Sequence, residues 1–259
     1  MSLNPRFCFC ILASVLVFNW LGTSPAKASE LMDAIKADDA GRVQTALSSG
    51  ADLNENDVYM GSPLHIAVAR GSVEIIKLLV DGGANVNAEG VGSLKRAHPL
   101  HIAARVNGVA AATLLIERGA SVDGRDSQGR TPLMIAASNG QTEIAKLLLQ
   151  KGADPLAEES EYHDIAMYIA AMNGHLDVVK LFVSNGVDAN FRNTHTGETI
   201  LWVAAMDTRL NVAEFLLSNV ADKRGDTPIK VSHDPKVKDL LRKFGAKEWR
   251  MQILSVWKN

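Results

Sequence analysis

Residues 129–155 read GRTPLMIAASNGQTEIAKLLLQKGADP, and their apolar positions fall into two short helical segments. Leu133, Ile135, Ala136 and Ala137 make the first almost wholly apolar, with alanines small enough for close helix packing. Thr131 suits the N-cap, and Pro132 suits the first helical position, where its missing N–H would have had no partner inside the helix. Gly140 supplies the positive φ that ends this segment. In the second segment Ile144, Leu147 and Leu148 recur at i, i+3 and i+4, so that stripe must be buried. Gly152, with Lys151 before it, ends that helix. Two such helices cannot enclose a core, and the pattern demands neighbours of the same kind.

The neighbours are found at a constant internal distance. Pro63 to Gly83, Pro99 to Gly119 and Pro132 to Gly152 are each 20 residues apart, and Ala166 to Gly186 keeps the spacing without the proline. Successive starts at Pro63, Pro99, Pro132, Ala166 and Ile200 lie 33 to 36 residues apart. The openings are Ser62-Pro63-Leu64-His65, Pro99-Leu100-His101, Thr131-Pro132-Leu133 and Thr227-Pro228-Ile229. The endings are Gly50-Ala51-Asp52, Gly83-Ala84-Asn85, Gly119-Ala120-Ser121 and Gly152-Ala153-Asp154. Together they resemble the ankyrin repeat family, whose helix pairs open with T-P-L-H. The resemblance implies an all-α solenoid of stacked helix-turn-helix units with β-turn or hairpin fingers, about six to seven repeats including caps.

In that register the repeats lie near 29–54, 61–87, 97–123, 129–155, 163–190 and 197–222, with a capping repeat at 225–246. The first is a polar-faced cap, because the end of a solenoid has no neighbour. The step from Gly83 to Pro99 is three residues longer than the 13 from Gly119 to Pro132, so the finger within residues 88–98 is expected to protrude and move. Asn107 replaces the turn glycine of the third repeat and tolerates the left-handed conformation. In the sixth, Thr208 and Val220 stand where glycines belong, and looser packing is expected there. Residues 247–259 place Trp249, Ile253, Val256 and Trp257 on one helical face, a helix that either seals the stack or docks elsewhere.

The first residues read differently. Arg6, an apolar run from Phe7 to Gly22 and then Ala26-Lys27-Ala28 resemble a secretory signal peptide at residues 1–28, cleaved after Ala28; the alternative is a retained anchor. The expected location is periplasmic or secreted, and no later segment is apolar enough to span a membrane. Both cysteines, Cys8 and Cys10, fall inside that segment. Its removal takes away Arg6 and Lys27 and leaves 25 basic against 29 acidic residues, which gives no drive toward nucleic acid.

Candidate chemistry adds little. In the family, histidines at the positions of His65 and His101 bond the backbone of the neighbouring repeat. His98 with His101, or His163 with His195, lack the carboxylate or cysteine spacing of a metal site. No G-x-S-x-G elbow is present, and Gly90-Val91-Gly92-Ser93-Leu94-Lys95 lacks the phosphate-loop spacing. No catalytic residue, cofactor or metal is expected. The resemblance implies a groove lined by first helices and finger tips. Its variable positions here are Val58, Tyr59, Arg70, Lys95, Arg105, Val106, Gln128, Asn139, Tyr162, Met172 and Met206, with Arg96 at a finger position usually given to glycine. Tyrosine, methionine and arginine are enriched at interfaces. The expected function is a non-enzymatic, monomeric, exported protein that holds a protein partner in this groove. The alternative is a secreted effector or an immunity-type inhibitor of a toxic enzyme.

Overall fold

The computed structural model describes residues 30–57, 59–219 and 239. The expected signal segment, the terminal helix and the capping repeat apart from Asp239 lie outside the described residues. Among the described residues, twelve α-helices follow in pairs: α1 Glu30–Lys36 and α2 Ala40–Ser48, α3 Pro63–Arg70 and α4 Val73–Asp81, α5 Pro99–Arg105 and α6 Val109–Glu117, α7 Pro132–Ser138 and α8 Thr142–Gln150, α9 Ala166–Asn173 and α10 Leu176–Ser184, α11 Ile200–Met206 and α12 Leu210–Asn219. The first helices stack on one another from α1 through α3, α5, α7 and α9 to α11, and the second helices form a parallel row from α2 to α12. This is an all-α ankyrin-type solenoid.

The two rows bury apolar residues differently. In α7 every residue from Pro132 to Ala137 is buried, because a first helix has a neighbour on each side and its own partner behind. A second helix buries only a stripe, such as Ile75, Ile76 and Leu79 in α4 or Val178, Val179 and Phe182 in α10. In α8 that stripe is Ile144, Ala145 and Leu148, whereas Leu147 lies at its edge and is half-buried. Adjacent helical positions are about 100° apart, which moves Leu147 off the buried face while Leu148 stays on it.

The repeated motifs have local physical causes. Thr131 and Thr199 are extended N-caps whose hydroxyls accept the Met134 and Trp202 main-chain N–H groups at 3.3 and 3.1 Å. After each of the first five second helices comes a positive φ, at Gly50, Gly83, Gly119, Gly152 and Gly186. A Cβ on Gly152 would meet nothing within 4 Å, so backbone conformation rather than space selects glycine there. The alanine that follows tucks into the core at Ala84, Ala120 and Ala153. The next Asp or Asn bonds the N–H two residues on, as Asp154 does to Leu156 and Asn85 to Asn87, both at 2.9 Å.

The turn between paired helices is left-handed in all six described repeats, at Asp38, Gly71, Asn107, Gly140, Gly174 and Thr208. Gly140 has a second constraint, because an added Cβ would stand 2.6 Å from the His175 ring of the next repeat. Thr208 adopts φ +58 despite its branched Cβ. The sixth repeat is nonetheless as closed as the others, correcting the expectation of looser packing: Val203, Val212 and Leu216 are all buried. Its turn residues changed while its inward stripe did not.

Hydrogen bonds then fasten repeat to repeat. His65 Nδ1 accepts from the Ser62 N–H and hydroxyl, which leaves Nε2–H to donate to the Ala97 carbonyl at 2.9 Å. His101 repeats this geometry, taking the His98 N–H and donating to the Arg130 carbonyl at 2.9 Å. At the corresponding position of the fifth repeat, Tyr168 is fully buried and donates its hydroxyl to Glu198 at 2.9 Å. A second row of ties joins the interhelical turns, from His175 Nε2 to the Ser138 carbonyl at 3.0 Å and from Arg209 Nε to the Met172 carbonyl at 2.9 Å.

Two outcomes follow from this packing. Leu148→Ala should cost about 2–5 kcal/mol in urea denaturation and Leu147→Ala less than half as much, since only Leu148 vacates a closed site. Burial, with the nearby His98 charge as a lesser cause, depresses His101 to about 4 against an ordinary 6.5, and burial lowers His65 as well. A histidine held neutral in the fold gives stability that is whole above pH 6.5 and is lost as the pH falls toward 4, about 3 kcal/mol for His101. Denaturation midpoints should therefore fall between pH 6.5 and 4.5, and His101→Gln should flatten that slope.

Candidate interaction face

The first helices and the fingers between repeats form one face, and the fingers are fixed by their own turns before they meet one another. Antiparallel bridges close three of them, Asp57 to Gly61, Glu158 to Ile165 and Arg192 to Thr199. In each, one side chain gathers the N–H groups of the tip: Asp57 Oδ1 those of Tyr59 and Met60, the two Glu159 carboxylate oxygens those of Glu161 and Tyr162, Asn193 Oδ1 those of His195 and Thr196. The finger between the third and fourth repeats uses Asp126 for Gln128 and Arg130, at 2.9 and 3.0 Å.

Each finger then holds the next. The Tyr59 carbonyl accepts the Ser93 hydroxyl at 2.7 Å, the Lys95 carbonyl the Ser127 N–H at 2.8 Å, the Gln128 carbonyl the Ser160 N–H at 3.0 Å and the Tyr162 carbonyl the Asn193 amide at 2.7 Å. Four sequence-predicted positions thus form one ladder through their main chains. Nothing in their side chains marks this, since the accepting groups are carbonyls.

The long finger, expected to protrude and move, is part of that ladder, and most of its residues between Glu89 and Arg96 are exposed. Its surplus residues form a 3-10 turn over Gly92–Leu94, closed by the Gly90 N–H on the Ala97 carbonyl at 2.9 Å. Leu94 reaches back to pack on the core. Arg96 takes the left-handed conformation at φ +59 and grips Glu89 with two bonds of 2.7 Å, so its fork is occupied within the finger. That contact lowers the Glu89 carboxyl and raises the Arg96 guanidinium from their ordinary values.

The remaining predicted positions divide by exposure. Tyr59, Arg70, Lys95, Arg105, Val106 and Asn139 are exposed, and Gln128, Tyr162, Met172 and Met206 are half-buried. Val58 lies outside the described residues. Met172 packs on the core and gives its carbonyl to Arg209, so it anchors the face more than it presents itself. Arg70 and Arg105 close the C-terminal ends of α3 and α5, where a cation suits the helix dipole.

Lys95, Arg105 and Asn139 are brought together around a depression of about 200 Å³ between the second and third fingers. Its lining also includes Ile102, Asp126, Arg130 and Ile135, which sequence reasoning missed because a charged finger residue and a helix isoleucine have ordinary structural uses. Asp126 is buried and takes Arg130 Nε and Nη2 at 2.9 and 2.7 Å. Burial pushes its carboxyl up, but the Arg130 bonds outweigh that and hold it below the usual range. Arg105 is open to water at the mouth yet crowded by protein, so desolvation lowers its pKa and the neighbouring Arg130 charge lowers it further. The His98 and His101 rings meet edge to face at 5.3 Å, and those of His163 and His195 stack at 5.7 Å. Among the described residues no group of three or more His, Cys, Asp or Glu side chains could hold a metal ion, and no helix is long and apolar enough to cross a membrane.

Asn193 tests whether the finger ladder stiffens this face. It is buried, and it ties Tyr162 and Asp164 while capping its own finger. Asn193→Ala should cost about 2–3 kcal/mol by leaving buried groups unpaired. Amide hydrogen exchange at His195 and Thr196 should quicken with it, while the Ser127 amide keeps its protection.

Comparison with known proteins agrees with this architecture. A family model described as Ankyrin repeats (3 copies) matches residues 31–123, 90–159 and 161–246. The chain is 44% identical over 98 residues to the nuclear factor NF-kappa-B p105 subunit of Mus musculus, covering 38% of this chain and 10% of that protein. It is 29% identical over 126 residues to the human transient receptor potential cation channel subfamily A member 1, covering 49% and 10%. With potassium channel KOR1 of Oryza sativa subsp. japonica it shares 45% over 60 residues, covering 23% and 7%. The chain thus spans a tenth or less of the length of these relatives. Stacked pairs, openings close to T-P-L-H, histidine ties and a family match over most of its length place this chain in the ankyrin repeat family, whose repeats are protein–protein interaction modules.

Proposed function

We propose that this chain is a non-enzymatic binding protein that is exported and holds a partner protein on the face made by the first helices and fingers. The carrying observation is the ladder through the Tyr59, Lys95, Gln128 and Tyr162 carbonyls, which fixes the backbone of successive fingers before any partner arrives. A surface ordered in advance gives up less conformational entropy on binding. Tyr59, 76% exposed, and Val106, 42% exposed, offer apolar contact area on that face which the fold itself does not consume. Export rests on the apolar run after Arg6 and on the small residues around Lys27.

The face is tested by placing a photo-crosslinking side chain at Val106 or, as control, at Lys180 on the second-helix row. In the native host, Val106 should yield a discrete crosslinked protein and Lys180 none. Crosslinking only from Lys180 would move the binding surface to the other row. Tyr59→Ala with Val106→Ala should weaken capture of that protein at least about 30-fold. N-terminal sequencing of the fractionated protein tests export, with Ser29 the expected first residue.

A further inference from the structure

The depression between the second and third fingers has an electrostatic asymmetry that the fold does not resolve. Lys95, Arg105 and Arg130 line it with one carboxylate, Asp126. That carboxylate is fully engaged: one oxygen takes the Gln128 and Arg130 N–H groups, the other both near nitrogens of the Arg130 fork. Glu89, the acid of the adjoining finger, is likewise held by Arg96 in a two-bond contact. Several other polar groups of the lining are committed as well. The Asn139 amide donates to the Ile135 carbonyl, the Ser93 hydroxyl to Tyr59, and the Ser138 carbonyl accepts from His175. No acidic side chain among the described residues makes an ion pair with Arg105.

We infer that this depression receives a single carboxylate side chain, Glu in preference to Asp, from the segment of partner protein lying across the fingers, and that Arg105 grips it with both arms of its fork. The inference rests on the binding face proposed above and names the chemistry recognised at one place on it. One uncommitted guanidinium presents two parallel donors, which match the two oxygens of one carboxylate. Leu94, Ile102 and Ile135 supply an apolar wall against which the methylenes of a glutamate can lie, and the shorter aspartate leaves part of it uncovered. With Arg130 and Asp126 offsetting one another, the Arg105 charge, which no ion pair among the described residues offsets, sets the sign of the field that steers an acidic segment toward the site. The crowding of protein around Arg105 reduces its hydration, so less water must be displaced when the pair forms.

The test uses the full chain and a displayed library of random 12-residue peptides. Wild type should enrich peptides with Glu at one fixed position, and Arg105→Gln should lose that preference while keeping those at other positions. For a selected peptide, Arg105→Gln and replacement of the peptide Glu by Gln should each weaken binding by about ten- to a hundred-fold, and both changes together by little more than either alone. Arg105→Lys should recover less than half of the loss on a logarithmic scale, because a point charge lacks the fork. Unchanged thermal unfolding of the Arg105 variants excludes a folding effect. Enriched peptides without a fixed acid, additive losses, or a phosphoserine peptide preferred over the glutamate peptide by more than tenfold would overturn the carboxylate assignment and leave the face standing. Failure of wild type to enrich any peptide would overturn the face and the assignment together.

Discussion

Each boundary between the described repeats is closed by a hydrogen bond that no single repeat can make. A pair of helices as short as α3 and α4 is marginal alone, because α3 has apolar residues on every side and α4 a single stripe, more than one partner helix can cover. The stripe gives it affinity for a neighbour, but apolar contact is non-directional and does not set the distance or rotation between units. His65 and His101 do. Each ring is braced at Nδ1 by its own repeat and at Nε2 by the finger of the next, so it spans the boundary as a rigid strut. Where the fourth repeat has Met134, whose sulfur takes only the Thr131 N–H of its own repeat, the ladder between fingers and the tie from His175 carry the register instead.

Fixed register has a functional consequence. Fingers held at set spacing present their side chains as a row, and a row can be complementary to an extended partner in a way that independent loops cannot. The cost is a run of backbone positions that only a few residues fit. Gly140 must clear the His175 ring and also adopt a positive φ, and Arg96 occupies a left-handed position while its side chain folds back on Glu89. Finger and helix are thereby one structure, and the interaction face is part of the packing.

Much of this was legible in the sequence because the determinants are local. Thr-Pro openings, turn glycines, an apolar first helix and a striped second one each act within a few residues and recur at constant spacing. The left-handed Asn107, the histidine struts and the glycine-like place of Arg96 could all be read from register. What could not be read were contacts with no signature in residue type. The finger ladder runs through carbonyl oxygens, and the return of Leu94 to the core depends on how three surplus residues coil. The buried place of Leu148 rather than Leu147 turns on a rotation of one position about a helix axis. The sixth repeat looked weakened at its turns, yet its buried side chains, which decide packing, were intact.

The depression at Arg105 shows the same division. Arginine at the end of a first helix is an ordinary surface residue in the sequence, and only the positions of Asp126 and Arg130 reveal that its neighbours' charges are already spoken for. The claim on which everything else depends is the histidine strut, and long-range 1H–15N spectroscopy of the imidazole rings at pH 7.5, above the ordinary histidine value from which both are lowered, reads it directly. His65 and His101 should both appear as neutral rings with the proton on Nε2 and an unprotonated, accepting Nδ1. Protonation of both nitrogens at that pH, or a proton on Nδ1, would contradict the account.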